Sequence, residues 1–289
     1  MNKARLFAAL QYLVPQHLLS RAVGYLADCR IGWVKNSFIR IFSRFYPINL
    51  AEAQEENPRA YPSFNAFFTR ALKPDARPIA ADPRQLACPV DGTVSQLGRI
   101  DYGRLFQAKG HSYSLTTLLG GDSDRARPFL DGSFACIYLS PQDYHRVHMP
   151  LDGCLRETVY VPGDLFSVNQ ATVGEVPNLF ARNERLVAIF DTAAGPMAMV
   201  LVGAMIVAGI ETVWSGQEAP RRRSIQRTGY LPEEKSPVVV PKGAEMGRFK
   251  LGSTVILLFG KDAVEWLDEF KAGTRTRLGT PLGTLVESP

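Results

Sequence analysis

The stretch Glu245-Met246-Gly247-Arg248-Phe249-Lys250-Leu251-Gly252-Ser253-Thr254 runs straight into the apolar segment Val255-Ile256-Leu257-Leu258-Phe259. Taken alone, Gly252-Ser253-Thr254 is a glycine turn ahead of a buried strand, an ordinary use of such a triplet. Outward from it, short apolar segments alternate with turn residues over most of the chain. Cys88-Pro89-Val90-Asp91-Gly92-Thr93-Val94-Ser95 places Asp-Gly between two such segments, a strand–turn–strand signature. Turn chemistry is reason enough for Asp91 there. Between Thr192 and Ile210 no charged residue occurs, nearly the length of a membrane-spanning helix. Gly195-Pro196, Gly203 and Gly209 interrupt it, so residues 197–202 and 205–210 read as two buried strands.

With 289 residues, 46% hydrophobic and 21% charged, the chain can bury a substantial core. No long Pro/Gly/Ser linker and no internal repeat divides it, which favours one large domain with an N-terminal appendage. The net charge of +5 accommodates an anionic partner without identifying one. Cys29, Cys88, Cys136 and Cys154 form no C-x-x-C pair and read as reduced core residues of a cytoplasmic protein. Leu26-Ala27-Asp28-Cys29 is not a lipidation site, because Asp28 stands where a small residue is needed.

The first 46 residues carry Lys3, Arg5, Arg21, Arg30, Lys35, Arg40 and Arg44 against one acid, Asp28. Leu6, Leu10, Leu13 and Val14 recur at helical spacing until Pro15. Leu18, Leu19, Ala22, Val23 and Leu26 form a second stripe, and Trp33, Phe38, Ile41, Phe42 and Phe45 belong to a third. Such basic amphipathic helices suit an anionic membrane surface, lying in the interface rather than crossing it. Packing on the protein's own core or on a second subunit fits the pattern equally well. A signal peptide does not, since Pro15 cuts the apolar segment and no small-residue cleavage site follows.

Tyr61-Pro62-Ser63-Phe64-Asn65-Ala66-Phe67-Phe68-Thr69-Arg70 reads as a capped short helix, and Ser114 as the cap of another. Lys109 and His111 fall in a solvated loop. Asp143-Tyr144-His145-Arg146-Val147-His148 holds two of the four histidines, three apart. No Cys or Glu stands at metal-ligand spacing, leaving packed histidines or two proton carriers aimed at one site. Arg221-Arg222-Arg223 and Arg227 read as a basic loop.

Several long strings in matching order resemble bacterial phosphatidylserine decarboxylase proenzymes, of the Leu-Gly-Ser-Thr type without a C2 domain. The most specific are the Gly252-Ser253-Thr254 context, Asp143 to His148, Pro162-Gly163-Asp164-Leu165-Phe166-Ser167-Val168-Asn169, and Phe180 to Arg185. The Phe-Asn-x-Phe-Phe-x-Arg string from Phe64 to Arg70 adds to them. The resemblance implies an α+β, mostly β fold with a barrel-sandwich-like antiparallel core. Residues 1–70 would form the N-terminal helical membrane-associating region and 71–289 the catalytic domain.

It further implies self-cleavage at Gly252-Ser253 into residues 1–252 (β chain) and 253–289 (α chain). A serine hydroxyl needs a base to attack a carbonyl, and Gly252 has no side chain to forbid the backbone shape required. Asp91, His148 and Ser253 would act as a triad turned on its own chain, leaving Ser253 as a pyruvoyl group. That covalent cofactor, with no metal and no pyridoxal phosphate, would form an imine with phosphatidylserine and withdraw electrons as carbon dioxide leaves. His145 would return the proton, giving phosphatidylethanolamine. Phe166, Ser167 and Asn169 are implied substrate contacts. The implied partners are phosphatidylserine, an anionic membrane surface, the two cleaved chains and a second copy in a homodimer, with no nucleic acid. The implied location is the cytoplasmic side of the inner membrane, peripherally held.

Two other readings compete. A conventional serine hydrolase using Ser253, His148 and Asp91 lacks its usual Gly-x-Ser-x-Gly elbow here. A membrane-bound β-domain without enzymatic activity would carry no reactive carbonyl.

Overall fold

The computed structural model describes residues 3–206, 209–220, 224–230, 237–251 and 253–286. Ser253–Phe259 lies inside a nine-stranded antiparallel sheet, between Gly195–Val202 and Ser133–Leu139. Side chains alternate across a strand, so Ile256 and Leu258 enter one core while Val255, Leu257 and Phe259 enter another. Burial on both faces explains why this strand is an unbroken apolar run. Outward on one side follow Arg185–Thr192, Gly153–Val161 and Gln226–Gly229; on the other follow Gly92–Arg99 and Arg275–Thr276. Val239–Val240 also pairs with Gly153–Val161. The ends of this sheet do not meet among the described residues, so the antiparallel core is open rather than a closed barrel.

A smaller sheet orders Gly216–Ala219, Gly209–Thr212, Glu245–Lys250 and Arg146–His148. The chain changes sheets between Lys250 and Ser253. Leu251, at that corner, has φ +75°, a left-handed backbone that leucine rarely adopts.

At the N-terminus α1 (Lys3–Gln11), α2 (Gln16–Ala27) and α3 (Gly32–Phe45) precede the short α4 (Phe64–Phe68). Pro15 stands at the N-cap position of α2, which no side chain caps, and separates α2 from α1. The Ser63 hydroxyl accepts from the Ala66 amide to start α4, and the Ser114 hydroxyl likewise accepts from Thr117. A third apolar cluster joins Ala27, Ile39, Tyr61, Phe64, Phe67 and Phe68 to Leu251. Phe38 stacks on Phe64 at 4.2 Å, and Asn65 donates to Asp28 at 2.7 Å. The Gln11 side-chain oxygen accepts from the Ser167 amide, and that of Gln16 from the Leu165 amide. The opposite faces stay bare: Leu13 and Tyr25 are each 82% exposed, Trp33 76% and Phe45 73%. No helix among the described residues is long and apolar enough to cross a membrane.

Three local expectations change. Gly195–Val202 is the first strand of the uncharged stretch, but the second is Gly209–Thr212 rather than 205–210. Ile206 has φ +73°, which breaks any strand there; residues 207 and 208 lie outside the described residues. Asp91-Gly92 does not close a hairpin, because Gln85–Ala87 pairs with Pro281–Leu285 while Gly92–Arg99 joins the large sheet. Arg227 is not merely a solvated loop residue, since it sits in a strand and pairs with Glu157 at 2.6 Å. Arg221, Arg222 and Arg223 lie outside the described residues. The four cysteines are free, Cys88 and Cys136 buried and Cys29 and Cys154 half-buried.

Candidate active site

The two histidines reach the junction through strand pairing. Glu245 pairs with His148 and Arg248 with Arg146, which lays 146–148 beside the strand leading to Leu251. The His145 carbonyl accepts from the Phe249 amide at 3.0 Å. On the far side of the junction, Ser253 pairs with Leu139 and Thr254 with Tyr138. Gly252 lies outside the described residues.

His148 donates Nδ1–H to the Gly243 carbonyl at 2.8 Å. A carbonyl only accepts, so the proton is fixed on Nδ1 and the lone pair on Nε2. Nε2 faces the Tyr144 hydroxyl at 3.4 Å. Burial lowers the pKa of His148, partly offset by the Gly243 bond, and keeps the ring neutral. Burial pushes Tyr144 up to about 12, so its hydroxyl stays protonated. A neutral, tautomer-fixed imidazole whose second nitrogen faces only a long contact from Tyr144 has the lone pair that a general base needs.

Asp91 is brought to the neighbourhood by the Pro89 carbonyl, which accepts from the His148 amide at 2.9 Å. A Cβ at Gly92 would lie 2.5 Å from the Tyr138 carbonyl oxygen, so only glycine lets this loop lie against the central sheet. The Asp91 carboxylate itself accepts from Arg77 at 2.6 Å and from the Leu278 amide at 2.8 Å. It acts on His148 through its charge rather than through a hydrogen bond. Neither Arg77 nor Gly243 carries any signal in the sequence that would have marked it, because both partners meet the site only through tertiary contact.

His145 is fully buried and stacks on Phe68 at 4.0 Å. It donates Nε2–H to the Ser140 carbonyl at 3.1 Å, and its Nδ1 has no partner among the described residues. Burial, and then the Arg70 guanidinium, lower its pKa to about 3. The turn carrying it is held by Asp143, which accepts from the Ser140 amide and hydroxyl and pairs with Arg275 at 2.7 Å.

Two concavities flank the junction. An apolar groove of 460 Å³ is lined by Leu26, Phe38, Phe42, Phe68, Pro141 and Leu251, among others. A cavity of 310 Å³ is lined in part by Tyr138, Asn169 and Thr254. Phe166 is buried against Tyr12 at 4.7 Å. The Ser167 hydroxyl donates to Gln11, and the Asn169 side-chain oxygen accepts from the Thr172 amide at 3.1 Å. Of these three residues, only Asn169 is among those lining either concavity.

A family profile described as phosphatidylserine decarboxylase matches residues 64–284, and a second, described as PSD, matches residues 6–47. The chain belongs to the phosphatidylserine decarboxylase family. A phosphatidylserine decarboxylase proenzyme of Ectopseudomonas mendocina is 60% identical over 281 residues, covering 97% of this chain and 98% of that protein. The proenzyme of the same name from Pseudomonas fluorescens is likewise 60% identical, with the same coverage. That of Pseudomonas putida strain W619 is 58% identical over 286 residues, 99% of this chain and all of the relative. The pyruvoyl group that such decarboxylases imply fits the donor set. Thr254 Oγ1 and His145 Nδ1 are buried polar atoms without partners among the described residues, on either side of the junction that would bear it.

Proposed function

We propose that this chain is a phosphatidylserine decarboxylase proenzyme that cuts itself between Gly252 and Ser253. The observation that supports the reading is the fixed tautomer of His148, whose backbone pairs with Glu245 on the strand that enters the junction. His148 takes the proton of the Ser253 hydroxyl as that oxygen adds to the Gly252 carbonyl carbon. The charge of Asp91, held in place by Arg77 and the Leu278 amide, favours the imidazolium that results. The C–N bond breaks, the amine receives a proton, and an ester links residue 252 to the Ser253 side chain. Elimination then frees a chain ending at Gly252, and hydrolysis with loss of ammonia leaves the pyruvoyl group at 253. When present, that group acts as an electron sink for the bond to the departing carboxylate.

The chain's own residues do the rest. The apolar groove takes the acyl chains, and Phe68 holds the His145 ring flat against it. His145 delivers a proton to the substrate carbon, giving phosphatidylethanolamine, and Thr254 and Asn169 offer polar contacts to the head group. The N-terminal region 1–70 lies in an anionic bilayer surface, using the bare apolar faces of α1 to α3. It is peripheral, on the cytoplasmic side of the inner membrane, and the protein works as a homodimer.

Intact mass tests the first act. Purified wild-type chain is expected as two fragments, 1–252 and a blocked 253–289, while Ser253→Ala stays whole and releases no carbon dioxide. A wild-type protein that remains one chain yet decarboxylates phosphatidylserine would refute it.

A further inference from the structure

Arg70, the last residue of the Phe64-to-Arg70 string, has no counter-ion among the described residues. It is 5% exposed, its Nε has no partner, and Nη1 reaches only the Phe68 carbonyl at 3.5 Å. No carboxylate among the described residues pairs with it. Asp91, whose charge it feels, is already engaged by Arg77 and the Leu278 amide. The other charged or titratable groups around it are Tyr61, Tyr144, Arg77 and His145. A buried guanidinium without an anion is costly, and folding alone gives no reason to keep one. Its planar fork is matched to a carboxylate.

We propose that Arg70 binds a carboxylate that none of the described residues supplies, and that this carboxylate is the serine head group of the lipid substrate. The inference rests on the decarboxylase reading above. Two sources present a carboxylate near this site: the lipid head group, and the chain end that cleavage creates at Gly252. The head group accounts for one further fact: Arg70 reaches the carbonyl of Phe68, whose ring stacks on the His145 ring that must protonate the product. While the carboxylate is bound, it screens the guanidinium and His145 can hold a proton. Once the C–C bond breaks and carbon dioxide leaves, the unscreened charge favours release of that proton. The proton and the electron pair of the broken bond form the new C–H bond, and water returns a proton to His145. Phosphatidylethanolamine has no carboxylate, so the same residue separates substrate from product.

Binding is measured first without turnover, in the Ser253→Ala chain, by calorimetry with dioctanoyl phosphatidylserine and dioctanoyl phosphatidylethanolamine. The serine lipid is expected to bind about tenfold or more tightly than the ethanolamine lipid, and Arg70→Met to erase that preference. In the otherwise wild-type chain, Arg70→Met should still self-cleave but lose about thirtyfold or more in kcat/KM. Its lipid-free thermal midpoint should hold or rise, because an unpaired buried charge has gone; a structural arginine would make it fall. Arg70→Lys, which keeps the charge and loses the fork, should raise KM more than it lowers kcat. A preference for the serine lipid that survives Arg70→Met overturns the proposal. So does an Arg70→Met chain that cleaves slowly but discriminates normally, which assigns the arginine to the Gly252 carboxylate. Absence of carbon dioxide release from the wild-type chain would instead strike at the decarboxylase reading itself.

Discussion

His145 and His148 are three residues apart and live in different regions of the molecule. His148 belongs to the β body: its ring bonds Gly243, its amide bonds Pro89, and its charged neighbours are Glu245, Arg146 and Asp91. His145 belongs to the seam with the helices, stacked on Phe68 of α4 and depressed by Arg70. The contrast is instructive because the two rings are chemically identical. One has its tautomer fixed by a carbonyl, which leaves the Nε2 lone pair toward Tyr144. The other is held neutral by burial and by Arg70. On the proposed division, self-cleavage draws on the body and decarboxylation on the seam.

The sharpest way to break this division is to delete each ring in turn. His148→Ala is expected to slow self-cleavage by about a thousandfold, read as the half-time of fragment appearance. His145→Ala should cleave at close to the wild-type rate and lose about a hundredfold in lipid turnover. Failure of His145→Ala to cleave would merge the two roles. Asp91→Asn should act less on the chemistry than on the fold. Arg77 keeps its second partner, Glu52 at 2.8 Å, so the change should cost roughly 1–2 kcal/mol in denaturant unfolding, and cleavage should slow about tenfold.

Acid sharpens the contrast further. Both folded pKa values lie below the ordinary histidine value of 6.5, that of His145 at about 3. Between those limits the unfolded chain binds the extra protons, so stability falls as pH drops from about 6.5 toward about 3 and is fully present above 6.5. Cleavage should persist somewhat below pH 6.5 and fail once His148 Nε2 is protonated. The smallest effect is expected at the bare helical face. Trp33→Ser should weaken flotation with anionic vesicles while changing unfolding free energy by no more than about 0.5 kcal/mol.

Much of this molecule was legible as sequence wherever the signal is local. Helical spacing and Pro15 place α1, α2 and α3, Ser63 and Ser114 mark two caps, and the run from Val255 to Phe259 marks the central strand. His145, His148 and Ser253 could be named as candidates because they sit in long ordered strings, and Asp91 because the resemblance implies it. The partners of those residues could not. Arg77 is 14 positions from Asp91 and Gly243 is 95 from His148, and no periodicity links such pairs. The second strand of the uncharged stretch was misplaced for a related reason. Ile206 is apolar and β-branched, a strand former by composition, yet it sits at positive φ with its amide donating to the Ser20 hydroxyl of α2.

The sequence by itself determined which residue types were present for proton transfer and self-attack, and that most of the chain would be sheet. Periodicity and composition act over neighbouring residues, and those properties are set there. Tertiary structure alone decided which nitrogen of His148 carries the proton, that Arg77 pairs with Asp91 and Glu52, and that Arg70 is left buried without a carboxylate among the described residues. Each depends on an atom from a distant segment arriving within hydrogen-bonding distance, or failing to, once two sheets and a helical cluster have closed around the same corner.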